Sequence, residues 1–256
     1  MKFIRRALFL IFHEKVYFRI ISMSFFILYN SGLLKFFKKF KMHYFVSKLI
    51  KKGDTIIDIG ANLGYYTNIF SRSTGKDGIV WAVEPVPLYC EILKKNTHRN
   101  SNVIVLPYAL GDRESVELMG IPGNQPYRHG LTRILKNEKD RNNTSREVEV
   151  KTPELLFSNI ERIDYIKCDI EGYENKVIPG FIEIIKRDKP IIQIELEPAN
   201  HKFINDLLIA EGYCSYILVA NKLRNINSGE KYKDDIIYIH NKRQDQIMKS
   251  LNTHIS

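Results

Sequence analysis

Residues 55–59, TIIDI, form a β-branched run with a carboxylate next to its end and predict a strand buried on both faces. A helical pattern follows over Tyr65–Ser71, and GIVWAVE (78–84) predicts a second strand. Pro85–His98 reads as a helix with Tyr89, Ile92, Leu93 and Asn96 on one side. NVIVLPYAL (102–110), IDYIKCDI (163–170) and PIIQIELE (190–197) contain the third, fourth and fifth strands, and YCSYILVA (213–220) with DIIYIHN (235–241) makes a closing pair. Val177, Ile178, Phe181, Ile182 and Ile185 form an apolar helical stripe in which Pro179 starts a fresh turn. Phe203, Ile204, Leu207 and Leu208 mark a further helix that stops near Gly212. Such alternation predicts an α/β fold with a doubly wound, mostly parallel seven-stranded sheet and helices on both faces.

Two stretches break the rhythm. ESVELMGI (114–121) and REVEVKT (146–152) alternate polar with apolar residues, as half-exposed strands do. Between them, residues 120–145 are rich in Gly, Pro and Asn and are expected to form a substrate-side lid, with disorder of 136–145 as the alternative.

The chain of 256 residues is 44% apolar and 27% charged, which suits one well-buried domain of 53–256 plus an N-terminal appendage of 1–52. Its net charge of +10 is unevenly placed. Of 39 basic and 29 acidic residues, 12 and 1 fall in 1–52, which leaves 27 and 28 for the rest. The main domain is therefore close to neutral, which argues against nucleic acid as a partner. The longest uncharged stretch of the appendage, Ile20–Leu34, has fifteen residues, short of the roughly twenty that span a bilayer. Ala7–Phe12 is a short apolar run with no small-residue cleavage site after it, so a signal peptide is not expected. One or two basic amphipathic helices remain, with Gly32 as a break. In 33–50, Leu33, Phe36, Phe37, Phe40, Tyr44 and Ser47 fall near one helical face with lysines between. Residues 1–50 are expected either to contact an anionic membrane peripherally or to pack on the domain, and both can hold. Cys90, Cys168 and Cys214 lie in apolar surroundings without metal-like spacing and without an evident basic partner. They are expected to be reduced core thiols in a cytoplasmic setting.

Ligands of doubly wound sheets bind beyond the carboxyl ends of the strands. There the first strand ends at Asp58 and turns through Gly60, Ala61, Asn62, Leu63 and Gly64. No P-loop pattern occurs, and Asn62 stands where a dinucleotide fingerprint needs its middle glycine. A carboxylate before the turn repels phosphate and suits a cationic ligand. Glu84, followed by Pro85, ends the second strand twenty residues past Gly64, where an acid can accept hydrogen bonds from both ribose hydroxyls. An anion near an amine, another on a ribose and no phosphate cradle together fit S-adenosylmethionine. The alternative role for Glu84 is a charge at a helix N-terminus.

DTIIDIGANLGYYT, VWAVEPVPLYCEILKKN, NVIVLPYALGD, HGLTRIL, VEVKTPELL and DYIKCDIEGYENKVIPG occur in that order over about residues 53–197. In these stretches the chain resembles the FkbM-type family of class I S-adenosylmethionine-dependent methyltransferases, which are Rossmann-like. The resemblance implies methyl transfer, usually to a hydroxyl of a sugar, glycan or secondary metabolite. It matches Asp58, Gly60, Asn62, Gly64 and Glu84 to the cofactor motif; Ala61, Tyr66, Pro85 and Asp169 beside them are expected to contact the cofactor as well. Ala109, Leu110 and Asp112, in the turn after the third strand, match the part expected to face the adenine.

A hydroxyl nucleophile needs a base or a metal to take its proton. Asp169 and Glu171 end the fourth strand, and Glu195 and Glu197 end the fifth. Asp169 is expected to orient the cofactor amine or the acceptor hydroxyl, with Glu171 or His129 as the base; the resemblance assigns His129 no role. For Glu171 and Glu174 the other reading is helix N-terminal charge. Metal independence is expected, the alternative being a divalent ion held by Asp169 with Glu195 or Glu197. A catalytically inactive, membrane-associated assembly protein and an NAD-type oxidoreductase are the competing functions. The intact Asp169 and Glu171 oppose the first, and Asp58 with the missing middle glycine opposes the second. The expected acceptor is a small molecule or a glycan, lipid-linked if the N-terminus holds the protein at the inner membrane face.

Overall fold

A computed structural model describes residues 2–121, 129–135, 142, 145–226, 232 and 235–253. Helices α1 (Lys2–Ile11) and α2 (Glu14–Asn30) come first, and α3 (Lys41–Phe45) follows a pair of 3-10 turns. Then β1 (Thr55–Ile59), α4 (Tyr65–Thr74), β2 (Ile79–Val83), α5 (Pro87–Thr97) and β3 (Val103–Leu106) alternate. The short strands β4 (Ala109–Leu110), β5 (Ser115–Gly120), β6 (Arg133–Ile134) and β7 (Arg146–Lys151) precede α6 (Pro153–Phe157) and β8 (Tyr165–Cys168). The chain continues through α7 (Glu174–Val177), α8 (Ile182–Asp188), β9 (Ile191–Ile194), α9 (His201–Ala210), β10 (Tyr213–Val219), β11 (Lys222–Asn225), β12 (Ile236–His240) and α10 (Asn241–Thr253).

The main sheet runs β11-β10-β12-β9-β8-β1-β2-β3. Strands β3, β2, β1, β8 and β9 are parallel, and β12 enters antiparallel between β9 and β10. The order reverses beside β1, which places a crevice at the carboxyl ends of β1 and β8. All seven expected strands are present. The eighth, β11, follows the two-residue turn Ala220-Asn221, both with positive φ (49° and 63°), as a type I′ hairpin requires. Neither residue is glycine, so the usual hairpin signal is missing from the sequence. β5 and β7 are the two strands that alternation predicts, and they pair antiparallel in a second sheet, β4-β7-β5-β6. The expected lid at 120–145 falls largely outside the described residues.

The central strands are buried on both faces, and their side chains alternate between two cores. Ile57, Ile59, Ile166, Cys168, Ile192 and Ile194 face one core with α6, α8 and α9. Ile56, Tyr165, Ile191, Ile237 and Ile239 face the other with α4 and α10. Pro179 does start a fresh turn, a 3-10 segment Ile178–Phe181 between α7 and α8.

The expectation for 33–50 is corrected. The segment is no single helix: it breaks into 3-10 turns Leu33–Phe36 and Lys38–Phe40, then α3, then a turn Val46–Lys48. Gly32, at φ 78°, donates its N–H to Tyr29 O and ends α2 in the left-handed conformation glycine tolerates. The side chains buried are Leu34, Met42, Phe45, Val46, Leu49 and Ile50, while Leu33, Phe36 and Phe37 stay exposed. Met42 to Ile50 pack beneath the sheet on Ile56, Phe70 and Val80. A regular helix places only one stripe on that surface; breaking it lets residues at several angles reach the core.

Candidate active site

Asp58 leaves β1 fully buried, accepting a 2.6 Å hydrogen bond from the Thr67 hydroxyl on α4. Its other oxygen, Oδ1, is buried without a hydrogen-bond partner among the described residues. Burial pushes the Asp58 carboxyl up. In register with Asp58 on the adjacent strand is Lys167, and beyond it Gln193. Lys167 is 2% exposed; its Nζ lies 2.9 Å from Asp169 Oδ2 and 4.6 Å from the Tyr66 ring centroid. Burial disfavours the ammonium, but Asp169, Asp58 and Asp235 outweigh it and hold Lys167 charged. Asp235 accepts from Gln193 Nε2 at 3.0 Å and from the Tyr66 hydroxyl at 3.4 Å, and burial pushes it up to about 6. Tyr66 stacks on His43 with ring centroids 4.2 Å apart, and burial followed by the nearby Lys167 charge drives His43 down to about 3. The N-terminal segment thus reaches the flank of this charged row.

The turn after β1 is held from two sides. The Gly60 and Ala61 N–H groups both donate to Val83 O at 3.0 Å. Gly60 has φ 77°, and a Cβ there would collide with the Asp169 carbonyl oxygen, so the turn rests on the tip of β8. At Gly64, φ 86°, a Cβ would lie 2.6 Å from Leu93 Cδ1. The close neighbour of that glycine is therefore α5. Glu84 is 4% exposed. Its Oε2 accepts from the Asn62 N–H at 2.8 Å and its Oε1 from the Val86 N–H at 2.9 Å. Burial pushes it up to about 7. Glu84 thus clasps the turn and the entry of α5 together, leaving one lone pair on each oxygen.

At the tip of β8 the backbone turns sharply, with Glu171 at φ 52° and Gly172 at φ 94°. A non-glycine residue in that region stores strain of the kind that gathers at functional sites. Gly172 N–H donates to Glu174 Oε1 at 2.9 Å, and Asn200 Nδ2 donates to Glu174 Oε2 at 2.9 Å. Glu174, fully buried at the first turn of α7, is therefore a brace for the turn. Glu171 stands free of the helix. It lines a cleft of about 170 Å³ with Asp169, Glu174, Glu195 and Glu197. Burial first, then Asp169, Glu197 and Glu174, push Glu171 up to about 7. Glu195 is raised as well, by burial and then by Asp169. Among the described residues no three His, Cys, Asp or Glu groups are arranged as metal ligands.

The other predicted residues lie apart from this cleft or beside it. Ala109 and Leu110 are buried in β4, and Asp112 is exposed, ion-paired at 2.6 Å with Lys176. His129 opens a 3-10 turn, but its side chain lies outside the described residues. All three cysteines are free thiols, Cys90 and Cys168 buried. Sequence reading missed Lys167, Gln193 and Asp235. The signal for Lys167 was present: a lone cation in the apolar run YIKC, two residues before Asp169 and so on its face of the strand. Asp235 had none, because nothing local ties it to β8.

The residues present fit a cationic nucleoside cofactor. The orphaned Asp58 oxygen is free to accept a hydrogen bond, the Gly60 turn lies against Asp169, and no phosphate cradle competes. Residues 58–217 match the methyltransferase FkbM domain family. No curated protein matches the chain. Among solved structures, an FkbM methyltransferase from Methylobacillus flagellatus superposes with TM-score 0.50 and 17% identity, covering 73% of this chain and 43% of that one. An S-adenosylmethionine-dependent O-methyltransferase from Thermotoga maritima has TM-score 0.42 and 12% identity, with coverage of 77% and 63%. Fibrillarin from Aeropyrum pernix, with S-adenosyl-L-methionine natively bound, has TM-score 0.44 and 14% identity, with coverage of 74% and 67%. This chain therefore spans less than two thirds of the length of the first two. The first likeness shows the class I methyltransferase fold.

Proposed function

Because the chain belongs to the FkbM methyltransferase family, whose methyl donor is S-adenosylmethionine, we propose that it methylates a hydroxyl oxygen of a sugar, glycan or secondary metabolite. The observation that carries this reading is Glu171. A carboxylate pushed up to about 7 at the rim of the cleft suits a base that must take a hydroxyl proton near neutral pH. Asp169, tied to Lys167 and beside Glu171, orients the acceptor hydroxyl or the donor's amine. Asp58 Oδ1 supplies an acceptor for an N–H or O–H of the cofactor. Glu84 holds the turn and offers its two remaining lone pairs to a ribose diol. The bound cofactor supplies an electrophilic methyl group, and the protein's share is to hold the nucleophile in line with it. Ala109, Leu110 and Asp112 stand on the adenine side. The free thiols support a reducing, cytoplasmic setting. A lipid-linked glycan of polysaccharide biosynthesis is the acceptor that the basic N-terminus favours.

Calorimetric titration with S-adenosylmethionine, followed by incubation with a panel of glycosides and mass spectrometry of the products, tests this. Donor binding is expected, with O-methyl products from wild type and none from Glu171→Gln at unchanged donor affinity. Absence of donor binding, N-methyl products alone, or wild-type turnover by Glu171→Gln overturns the reading.

A further inference from the structure

Helix α2 is apolar on two faces, and the domain covers one of them. Tyr17, Phe18 and Phe25 are buried, the first two against Leu63, Val86 and Tyr89, and Phe25 against Tyr65 with ring centroids 4.4 Å apart. The opposite face carries Val16, Ile20, Met23 and Ile27, spaced as one stripe of a helix. Val16, Met23 and Ile27 are 44%, 55% and 64% exposed. Beyond Gly32 the chain presents Leu33, Phe36 and Phe37, the last two 85% and 58% exposed. Among the described residues nine large apolar side chains are more than half exposed, and seven of them lie between Leu10 and Phe37. The concentration marks a contact surface, since scattered exposed apolar residues need no explanation and a gathered set does.

Lysines surround this surface. Lys35, Lys38 and Lys39 interleave with Phe36 and Phe37, and Arg19 stands near the other end of the stripe, where Lys15 pairs with Glu91 of α5 at 2.6 Å. Glu14 is the sole acid among residues 1–52. A second copy of the chain docking face to face would set these cations against their own counterparts. An anionic lipid surface takes both components, the lysines to the headgroup phosphates and the apolar side chains to the acyl boundary. Among the described residues no helix is long and apolar enough to cross a membrane.

We infer that the exposed face of α2, with the Leu33–Phe37 turn, docks on the surface of an anionic bilayer. Met23, Ile27, Phe36 and Phe37 enter the boundary between headgroups and acyl chains. The other face of α2 rests on Leu63 of the turn after β1 and on Tyr65 at the start of α4, so docking holds that turn about one helix diameter, ~10 Å, from the bilayer. Lipid binding is read separately from methyl transfer, and either can fail without the other.

The full chain is floated with vesicles of phosphatidylcholine containing phosphatidylglycerol, and with phosphatidylcholine alone, at low and high salt. Wild type is expected to bind the anionic vesicles, more weakly as salt rises. Replacing Met23, Ile27, Phe36 and Phe37 together by serine is expected to lower the bound fraction by about tenfold or more. Hydrogen exchange of wild type with anionic vesicles should protect 33–40 and leave α9 unchanged, a readout independent of variant folding. Equal flotation of the variant, no wild-type flotation, or no added protection at 33–40 overturns the proposal. So does a wild-type dimer in lipid-free buffer that the variant splits, which would give the face to a second copy.

Discussion

Asp58 and Lys167 are register partners on adjacent parallel strands, both buried, and with Gln193 they form a polar row through the centre of the sheet. One cation in that row serves Asp58, Asp169 and Asp235 at once. Such a lysine joins strands that come from distant parts of the chain, and it keeps the floor of the cleft negatively charged.

Lys167→Met should leave three acids facing one another. Breaking a buried pair by removing one partner costs about 3–5 kcal/mol. Asp235, already pushed up to about 6, and Asp58 rise further without the lysine. Carboxylates raised in the folded state stabilise it below their unfolded pKa and lose that contribution as pH rises through the folded value. Urea denaturation should therefore show a deficit against wild type that is largest near about pH 8 and narrows toward about pH 5. An equal deficit at both would argue that Lys167 matters for packing alone.

The pH dependence of kcat/KM should rise with pH through about 7, because Glu171 must be ionised to accept a proton. Glu171→Gln should remove that rising limb and lower kcat by about 10²- to 10⁴-fold. A profile flat from acid to neutral pH in wild type would assign the base elsewhere.

Gly60→Ala drives a Cβ into the Asp169 carbonyl and forces a side chain into φ 77°. We expect a stability loss of about 1–3 kcal/mol and weakened donor binding by calorimetry. Gly130 has nothing within 4 Å of an added Cβ, so Gly130→Ala is the neutral control.

Phe45 is 4% exposed in the core beneath the sheet. Phe45→Ala should cost about 3–5 kcal/mol in chemical denaturation. Removing residues 1–50 would strip Met42 to Ile50 from the same core, so the truncated chain is expected to aggregate. A soluble truncation with an unchanged midpoint would separate the segment from the fold.

The strand–helix alternation, the Gly60–Gly64 turn, the half-exposed strands β5 and β7 and the acids Asp58 and Glu84 at neighbouring strand ends are all legible in the chain itself. Each is written in local spacing, with period two for strands, period 3.6 for helices and a residue type demanded by a positive φ. The burial of Lys167 among three acids, the closing of the row by Asp235 and the lone pairs Glu84 gives to two backbone N–H groups arise from tertiary packing. So does the turning inward of Met42, Phe45, Val46, Leu49 and Ile50, while Leu33, Phe36 and Phe37 stay exposed. Those outcomes depend on strand register and on which surfaces meet. A side chain's desolvation and its charged neighbours come from residues far away in the chain, and no local pattern encodes them.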